Sequence, residues 1–385
     1  MVTSEEGQID ELLAAVLRGE AVRWPDADFA PDAVVERIVY HGIAGLVADR
    51  ARDLADWPER VIGPVREQAV AMAMWELRHT SVLRELLAAL AAASVETLLL
   101  KGSALAYDLY PTPATRARGD SDLLVDPAAL ETARSVFVRL GYRRQPLDAG
   151  IADDLALQEV WSLTCPAGTG HYIDLHWQLL NAPALRDLFP FDACKRDPLP
   201  LPRLGPHAGA MNRPLTLLHT CVHRAMHLTS PYFVNGVTYY GGDRLIWAMD
   251  IDLLSGALSK CDWRAFNDAA LDQGVATVCL DGLRLARRTL GTAIPSDVTA
   301  SLGIARDERA SAYLLGSGQA RRAWADLSAI TGIGRKLAYV GARGLPSAAF
   351  MRCKYPEFAN RPLAMLHLRR MIDLIRPRPD TSRRG

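Results

Sequence analysis

The spacing of apolar residues changes twice along the chain, and those two changes set what it can fold into. Up to about residue 92, apolar positions recur at helical spacing in DELLAAVLRG, VVERIVYHGIAGLVADRA and WELRHTSVLRELLAALAAA. From 93 to 182 they form short β-type runs broken by turns: VETLLL, SDLLV, LALQEVWSLTC and HYIDLHWQLL, with PAALETARSVFVRLGY as a helix between the second and third. Helical spacing returns after the Pro-rich connector DPLPLPRLGP. The expected fold is therefore α+β, a small mixed-sheet core flanked by helical N-terminal and C-terminal regions. The expected boundaries are a helical segment over 1–92, the α/β core over 93–182, a helical domain over 183–334 and a basic extension over 335–385.

Charge and cysteine content narrow the functional classes. Lys plus Arg equals Asp plus Glu at 44 each, so no global field marks a nucleic-acid coat or a membrane-surface protein. The charge is unevenly placed, because from Arg335 to Gly385 twelve Lys and Arg face three Asp and Glu. A tail of that kind is ordinarily a solvated, partly disordered extension, with binding to something acidic as the second reading. The six cysteines form no CxxC pair, which argues against a zinc site or disulfide framework and fits a reducing cytoplasm. The acidic start MVTSEEGQIDELL lacks the pattern of a signal peptide, and LLAALAAASV, at ten residues, is too short to span a bilayer.

The stretch LLLKGSALAYDLYPTPATRARGDSDLLV, residues 98–125, carries the chemistry. A buried strand ends in Lys101-Gly102-Ser103 and a helix follows at once. Amides at a helix N-terminus attract anions, glycine admits a ligand close to the main chain, and serine adds a hydroxyl donor. A phosphate fits such a turn; an ordinary strand-to-helix turn with a serine cap is the plain alternative. Lys101 follows three leucines, so its ammonium must leave the core, and that phosphate is the nearest anion. Asp120 and Asp122 open the next strand. Period-two geometry points both carboxylates to one face, about 7 Å apart, and such a pair suits Mg²⁺ or Mn²⁺. Arg116 and Arg118 share that parity, so an extended backbone would aim them at a developing pyrophosphate, with a salt bridge as the plain alternative.

A third carboxylate lies in HYIDLHWQLL, where Tyr172, Asp174 and His176 share one face and Ile173, Leu175 and Trp177 the other. If that strand lies beside the Asp120/Asp122 strand, three acidic groups converge, the arrangement two-metal phosphoryl chemistry requires. His176 would hold a carboxylate or touch substrate. His219, His223 and His227 lie along one side of a helix with no partner set for zinc, and a structural or substrate-lining role is expected, with His223 a candidate substrate contact. Asp250 and Asp252 fall in a helical pattern, where i and i+2 do not face each other, and are set aside as metal ligands. Trp247, Trp263 and Trp324 are expected in the core, Asp243 as a helix cap, and SPYFVNGVTYYGGD as a loop lining an acceptor pocket.

The order strand, Lys-Gly-Ser, helix, Asp-x-Asp strand, helix, then Asp-x-His-Trp resembles the nucleotidyltransferase superfamily, with its polymerase-β-like fold. More narrowly it is similar to the bacterial family of uncharacterised nucleotidyltransferases. The resemblance implies that Asp120 and Asp122 bind metal, that Asp174 completes the set as ligand or general base, and that Gly102 and Ser103 hold an NTP triphosphate. It implies transfer of an NMP group from an NTP such as ATP to a hydroxyl or phosphate acceptor, which is a small molecule, a peptide or protein side chain, or an RNA end. Sixteen residues separate Ser103 from Asp120, longer than in better-known members, which suggests a loop over the nucleotide. Two other classes stay open: a non-catalytic nucleotide-binding regulator of antitoxin type, and a helical interaction scaffold.

Overall fold

The computed structural model describes residues 5–375 apart from 26–28, 147–155, 166–167, 229–230, 235–236, 241 and 317. Helices α1 (Glu5–Arg18), α2 (Pro31–His41) and α3 (Ala44–Asp49) lead into α4 (Glu59–Ala92), 34 residues long. The chain then forms β1 (Thr97–Leu100), α5 (Lys101–Asp108), β2 (Asp120–Val125), α6 (Leu130–Arg139), β3 (Arg143–Arg144), β4 (Gln158–Thr164) and β5 (Gly170–His176). After α7 (Phe191–Cys194), β6 (Leu199–Pro200) and β7 (Gly209–Ala210) come α8 (Arg213–His227), the hairpin β8 (Pro231–Val234) and β9 (Val237–Tyr240), and α9 (Leu245–Ala257). Helices α10 (Lys260–Asp272), α11 (Ala276–Leu290) and α12 (Ser296–Gly303) complete the bundle, and shorter helices continue to Ile375. The α+β class read from the sequence is the one observed.

One mixed sheet of seven strands runs β3-β4-β5-β2-β1-β7-β6. Leu98, Leu99 and Leu100 are all buried, which places β1 inside the sheet with both faces covered. β2 lies antiparallel to β1 and parallel to β5. The Pro-rich connector supplies more than a link, because β7 pairs with β1 at Leu99 and Ala210 while β6 closes the edge. A buried central strand needs backbone partners on both sides, and Pro200 is admissible only in an outermost strand.

Two cores meet along α4. Its first turns place Val61, Ile62 and Val65 in a helical core shared by α1 to α3 and by α8 to α11, so the two helical regions pack as one body. Its last turns place Leu83, Leu86, Leu87 and Leu90 under the sheet with Leu123, Val125, Ile173 and Leu175. Between them α4 has a polar waist, where Glu76 and His79 are buried. Residues 335–375 of the segment read as a solvated, partly disordered basic extension are largely helical. Trp247 and Trp263 are buried as expected, but Trp324 is 71% exposed. Asp243 pairs with Arg224 and does not cap α9.

The loop from 111 to 119 is pinned to both cores by buried ion pairs. Arg116 Nε and Nη2 donate to Asp250 on α9 at 2.8 and 2.7 Å, and the Tyr110 hydroxyl donates to the same carboxylate at 2.7 Å. Asp250 is thus a structural anchor, although its Asp-x-Asp spacing has no meaning on a helix. Removing one member of a buried pair leaves an uncompensated charge. Asp250→Ala is expected to cost about 3–5 kcal/mol, and Arg116→Met combined with Asp250→Leu markedly less. The midpoints of urea unfolding check both.

Candidate active site

The site forms where β2 and β5 run side by side. In the parallel register Asp122 stands opposite Asp174, Asp120 opposite Tyr172, and Leu124 opposite His176. Alternation therefore puts Asp120, Asp122, Asp174 and His176 on one face of the sheet. The opposite faces, Leu123 and Val125 with Ile173 and Leu175, are buried in the sheet core. That apolar pattern fixes the register, since a slip of one residue would turn the carboxylates into the core.

Asp122, buried at the floor of the site, is the hub. Lys101 Nζ donates to its Oδ1 at 2.6 Å, and His176 Nε2 donates to the same oxygen at 2.9 Å. Lys101 reaches this position because β1 ends at Leu100, which pairs with Asp122, and because Lys101 turns the chain with φ 49°, in the left-handed region. Burial alone would push the Asp122 carboxyl up, but the Lys101 ammonium, then His176, hold it well below the usual carboxylate range. Among the described residues no cation touches Asp174, and burial, then the charges of Asp120 and Asp122, push it well up against the pull of Lys101. Asp120 lies at the mouth with its carboxylate reaching solvent, yet the enclosing walls and the Asp122 charge push it up to about 6.

Among the described residues, one ligand atom each from Asp122, Asp174 and His176 lies within 4.8 Å of the others. This grouping differs from the expected set, in that His176 stands where Asp120 was placed. Asp120 opens the strand two residues upstream and projects further out. Two carboxylate oxygens and one imidazole nitrogen form a donor set open to a divalent cation.

Several expected contacts lie elsewhere. Helix α5 begins at Lys101, so Ser103 is inside it, and its hydroxyl lies 2.7 Å from that of Ser121 on the buried side of β2. Ser121 also meets His79 Nε2 at 2.7 Å. Ser103 thus belongs to a buried network instead of facing the carboxylates. Arg116 and Arg118 do not project in a row with the aspartates, because the backbone bends at Arg116 and again at Gly119 before β2 begins, which breaks the parity. Arg116 turns to Asp250, and Arg118 Nη2 to Glu76 at 2.7 Å. Gly102 remains at the turn, where a Cβ would stand 3.4 Å from the Arg116 guanidinium carbon. Glu76 and His79 carried no signal in the sequence beyond a helical pattern.

On α8, His223 and His227 face each other with Nε2 atoms 2.9 Å apart. His219 is buried, and the Nε2 of its ring has no hydrogen-bond partner among the described residues. Burial, then the Lys101 charge, pulls His219 down to about 3, and the same two influences pull His227 down to about 4. The hairpin β8–β9 occupies the segment read as an acceptor loop. Tyr239 packs against Tyr40, with ring centroids 4.9 Å apart, and the side chains of Tyr232, Phe233 and Tyr240 lie outside the described residues.

A model of the uncharacterised nucleotidyltransferase family matches residues 27–291, well over half of the chain and all of the site. A comparison with curated proteins finds no match.

The crowding of carboxylates has a measurable consequence without any ligand. An acid whose folded pKa is raised lowers stability once the pH exceeds its unfolded value near 4, and that cost grows until the folded pKa is passed. Asp174→Asn is therefore expected to raise the melting temperature of chelator-treated protein at pH 7, by the equivalent of about 1 kcal/mol or more. The gain should shrink as the pH falls toward 4 and when Mg²⁺ is added. Differential scanning calorimetry across that pH range checks the sign.

Proposed function

We propose that this chain, a member of the uncharacterised nucleotidyltransferase family, moves a nucleoside monophosphate from an NTP to a hydroxyl or phosphate acceptor and releases pyrophosphate, with Mg²⁺ or Mn²⁺ as cofactor. The observation that carries the reading is the in-register pairing of Asp122 with Asp174, with Asp120 on the same face. No apolar or ordinary polar core calls for three carboxylates at one sheet position. A divalent cation relieves their repulsion, and the Asp122, Asp174 and His176 donors fit one. When bound, the ion would polarise the reacting phosphate and offset the charge that develops on pyrophosphate.

The remaining work falls to the chain's own groups. Lys101 keeps Asp122 ionised and places a fixed positive charge where phosphates enter. Gly102, at the first turn of α5, leaves the main chain open to a phosphate oxygen. Without a cation His176 Nε2 donates to Asp122 and so fixes the orientation of its carboxylate; the same nitrogen would ligate a cation only by giving up that hydrogen bond. Asp174, opposite Asp122 in the register, completes the donor set as a ligand or, where the cation does not hold it, takes the acceptor's proton. The acceptor oxygen then bonds to the α-phosphorus as its bond to the bridging oxygen of pyrophosphate breaks. Asp120, at the mouth, is available to a second cation or to the nucleotide's own. Arg116 and Arg118 hold the loop above the site through Asp250 and Glu76.

Two variants test this. Asp122→Ala should lower transfer by at least about 10³-fold with the circular dichroism spectrum retained, since it removes the hub of the donor set. Calorimetric titration with each NTP and Mg²⁺ should lose its binding isotherm in parallel. Wild-type protein that binds Mg-NTP but releases no pyrophosphate with any acceptor would favour the regulatory reading, and absence of binding would favour the scaffold. Lys101→Gly removes the ammonium that offsets buried Asp122 while relaxing the left-handed backbone, so it should lower kcat/KM by about 10²-fold and also lower the melting temperature of the metal-free protein, with part of that loss restored by Mg²⁺. Initial rates of pyrophosphate release and a thermal melt check the two halves of that expectation.

A further inference from the structure

Beyond the family-matched stretch, the chain carries two helices whose outer faces are apolar and whose flanks are basic. In Ile333–Gly344, Ile333 (81% exposed), Leu337 (68%) and Val340 (52%) fall at i, i+4 and i+7, a single stripe. In Leu363–Ile375, Met365, Leu368 and Ile372 repeat the pattern at i, i+3 and i+7, all exposed. The inner face of the second helix is already used, because Leu366 packs with Met351 and Tyr355. The two helices are joined: Arg370 Nη1 and Nη2 donate to the carbonyls of Gly344 and Arg343 at 3.1 and 2.9 Å. Between residues 333 and 375 eight Lys and Arg stand against two Asp and Glu, in a chain whose total charge is zero.

We propose that these two helices dock on an anionic lipid surface, the aliphatic stripes at the acyl boundary and the basic side chains at the headgroup phosphates. Charge complementarity selects this occupant. A second copy of the chain would bring the same basic flanks together, which is unfavourable. Single-stranded nucleic acid would find positive charge, but Ile, Leu, Val and Met offer no flat ring on which bases stack. No helix among the described residues is long and apolar enough to cross a membrane, so the contact is peripheral.

Flotation of the full-length protein with phosphatidylcholine vesicles, with and without phosphatidylglycerol, tests the proposal. The protein is expected to float with the anionic vesicles only, and to release them as salt is raised. Leu337→Glu with Leu368→Glu should weaken binding by about tenfold or more, with an unchanged melting temperature because both side chains are exposed. Lys336→Glu should weaken it roughly fivefold or more. Failure to bind anionic vesicles at low salt, equal binding to both vesicle types, or undiminished binding by the doubly substituted protein would each overturn the proposal. So would light scattering that shows a dimer dispersed by Leu337→Glu without vesicle binding, or capture of a single-stranded RNA with none.

Discussion

Like charges held side by side on neighbouring strands are the constraint around which this molecule is arranged. Left alone, Asp122 and Asp174 would drive β2 and β5 apart or out of register. They cannot separate because Leu123 and Val125 with Ile173 and Leu175 are buried on the other face, and burial of one such side chain is worth about 2 kcal/mol. The hydrophobic face thus supplies the energy that the polar face stores. Lys101 offsets part of the repulsion, most strongly at Asp122, which it touches, and the remainder appears as the raised proton affinity of Asp174 and Asp120. A site in this condition gains from taking up a cation, which is the physical core of the proposed activity.

The second requirement is a rigid frame around the charges, and α4 provides it. The same helix packs into the helical core at one end and under the sheet at the other, so the two cores cannot shift independently. At its waist Glu76 receives Arg118, while Asp250 on α9 receives Arg116. Buried ion pairs of this kind add little net stability over an apolar replacement. What they add here is position: two adjacent stretches of one loop are tied to two different helices, which holds the loop beside Gly102 and the mouth of the site.

How much of this was readable in advance follows from which forces act locally. The strands, the shared face of Asp120 and Asp122, and the face of Asp174 and His176 depend on period-two alternation, a property of each strand by itself. The neighbouring of β2 and β5 is not a property of either strand, because strand pairing is set by tertiary packing. The parity of Arg116 and Arg118 with the aspartates holds only for extended backbone, and the chain bends at Arg116 and Gly119. Ser103 was misread through a helix start placed three residues late, which rotates its side chain from the phosphate side to the core. Asp250, Glu76 and His79 are legible only from partners remote in sequence, Arg116, Arg118 and Ser121.

The histidines of α8 show what kind of charge the site relies on. His219 and His227 are held neutral by burial and by Lys101, and burial with the neighbouring His227 ring does the same at His223. At any physiological pH this wall therefore offers hydrogen-bonding nitrogens and no net charge. Lys101 is raised by Asp122, and Arg116 by Asp250, each against the pull of burial. The positive field at the site therefore comes from Lys101 and the loop arginines, while burial and mutual repulsion raise the proton affinity of Asp120 and Asp174. Such a division suits a reaction in which the phosphate charge is large and constant while a single proton must be moved, because the binding field then stays in place as the proton leaves the acceptor.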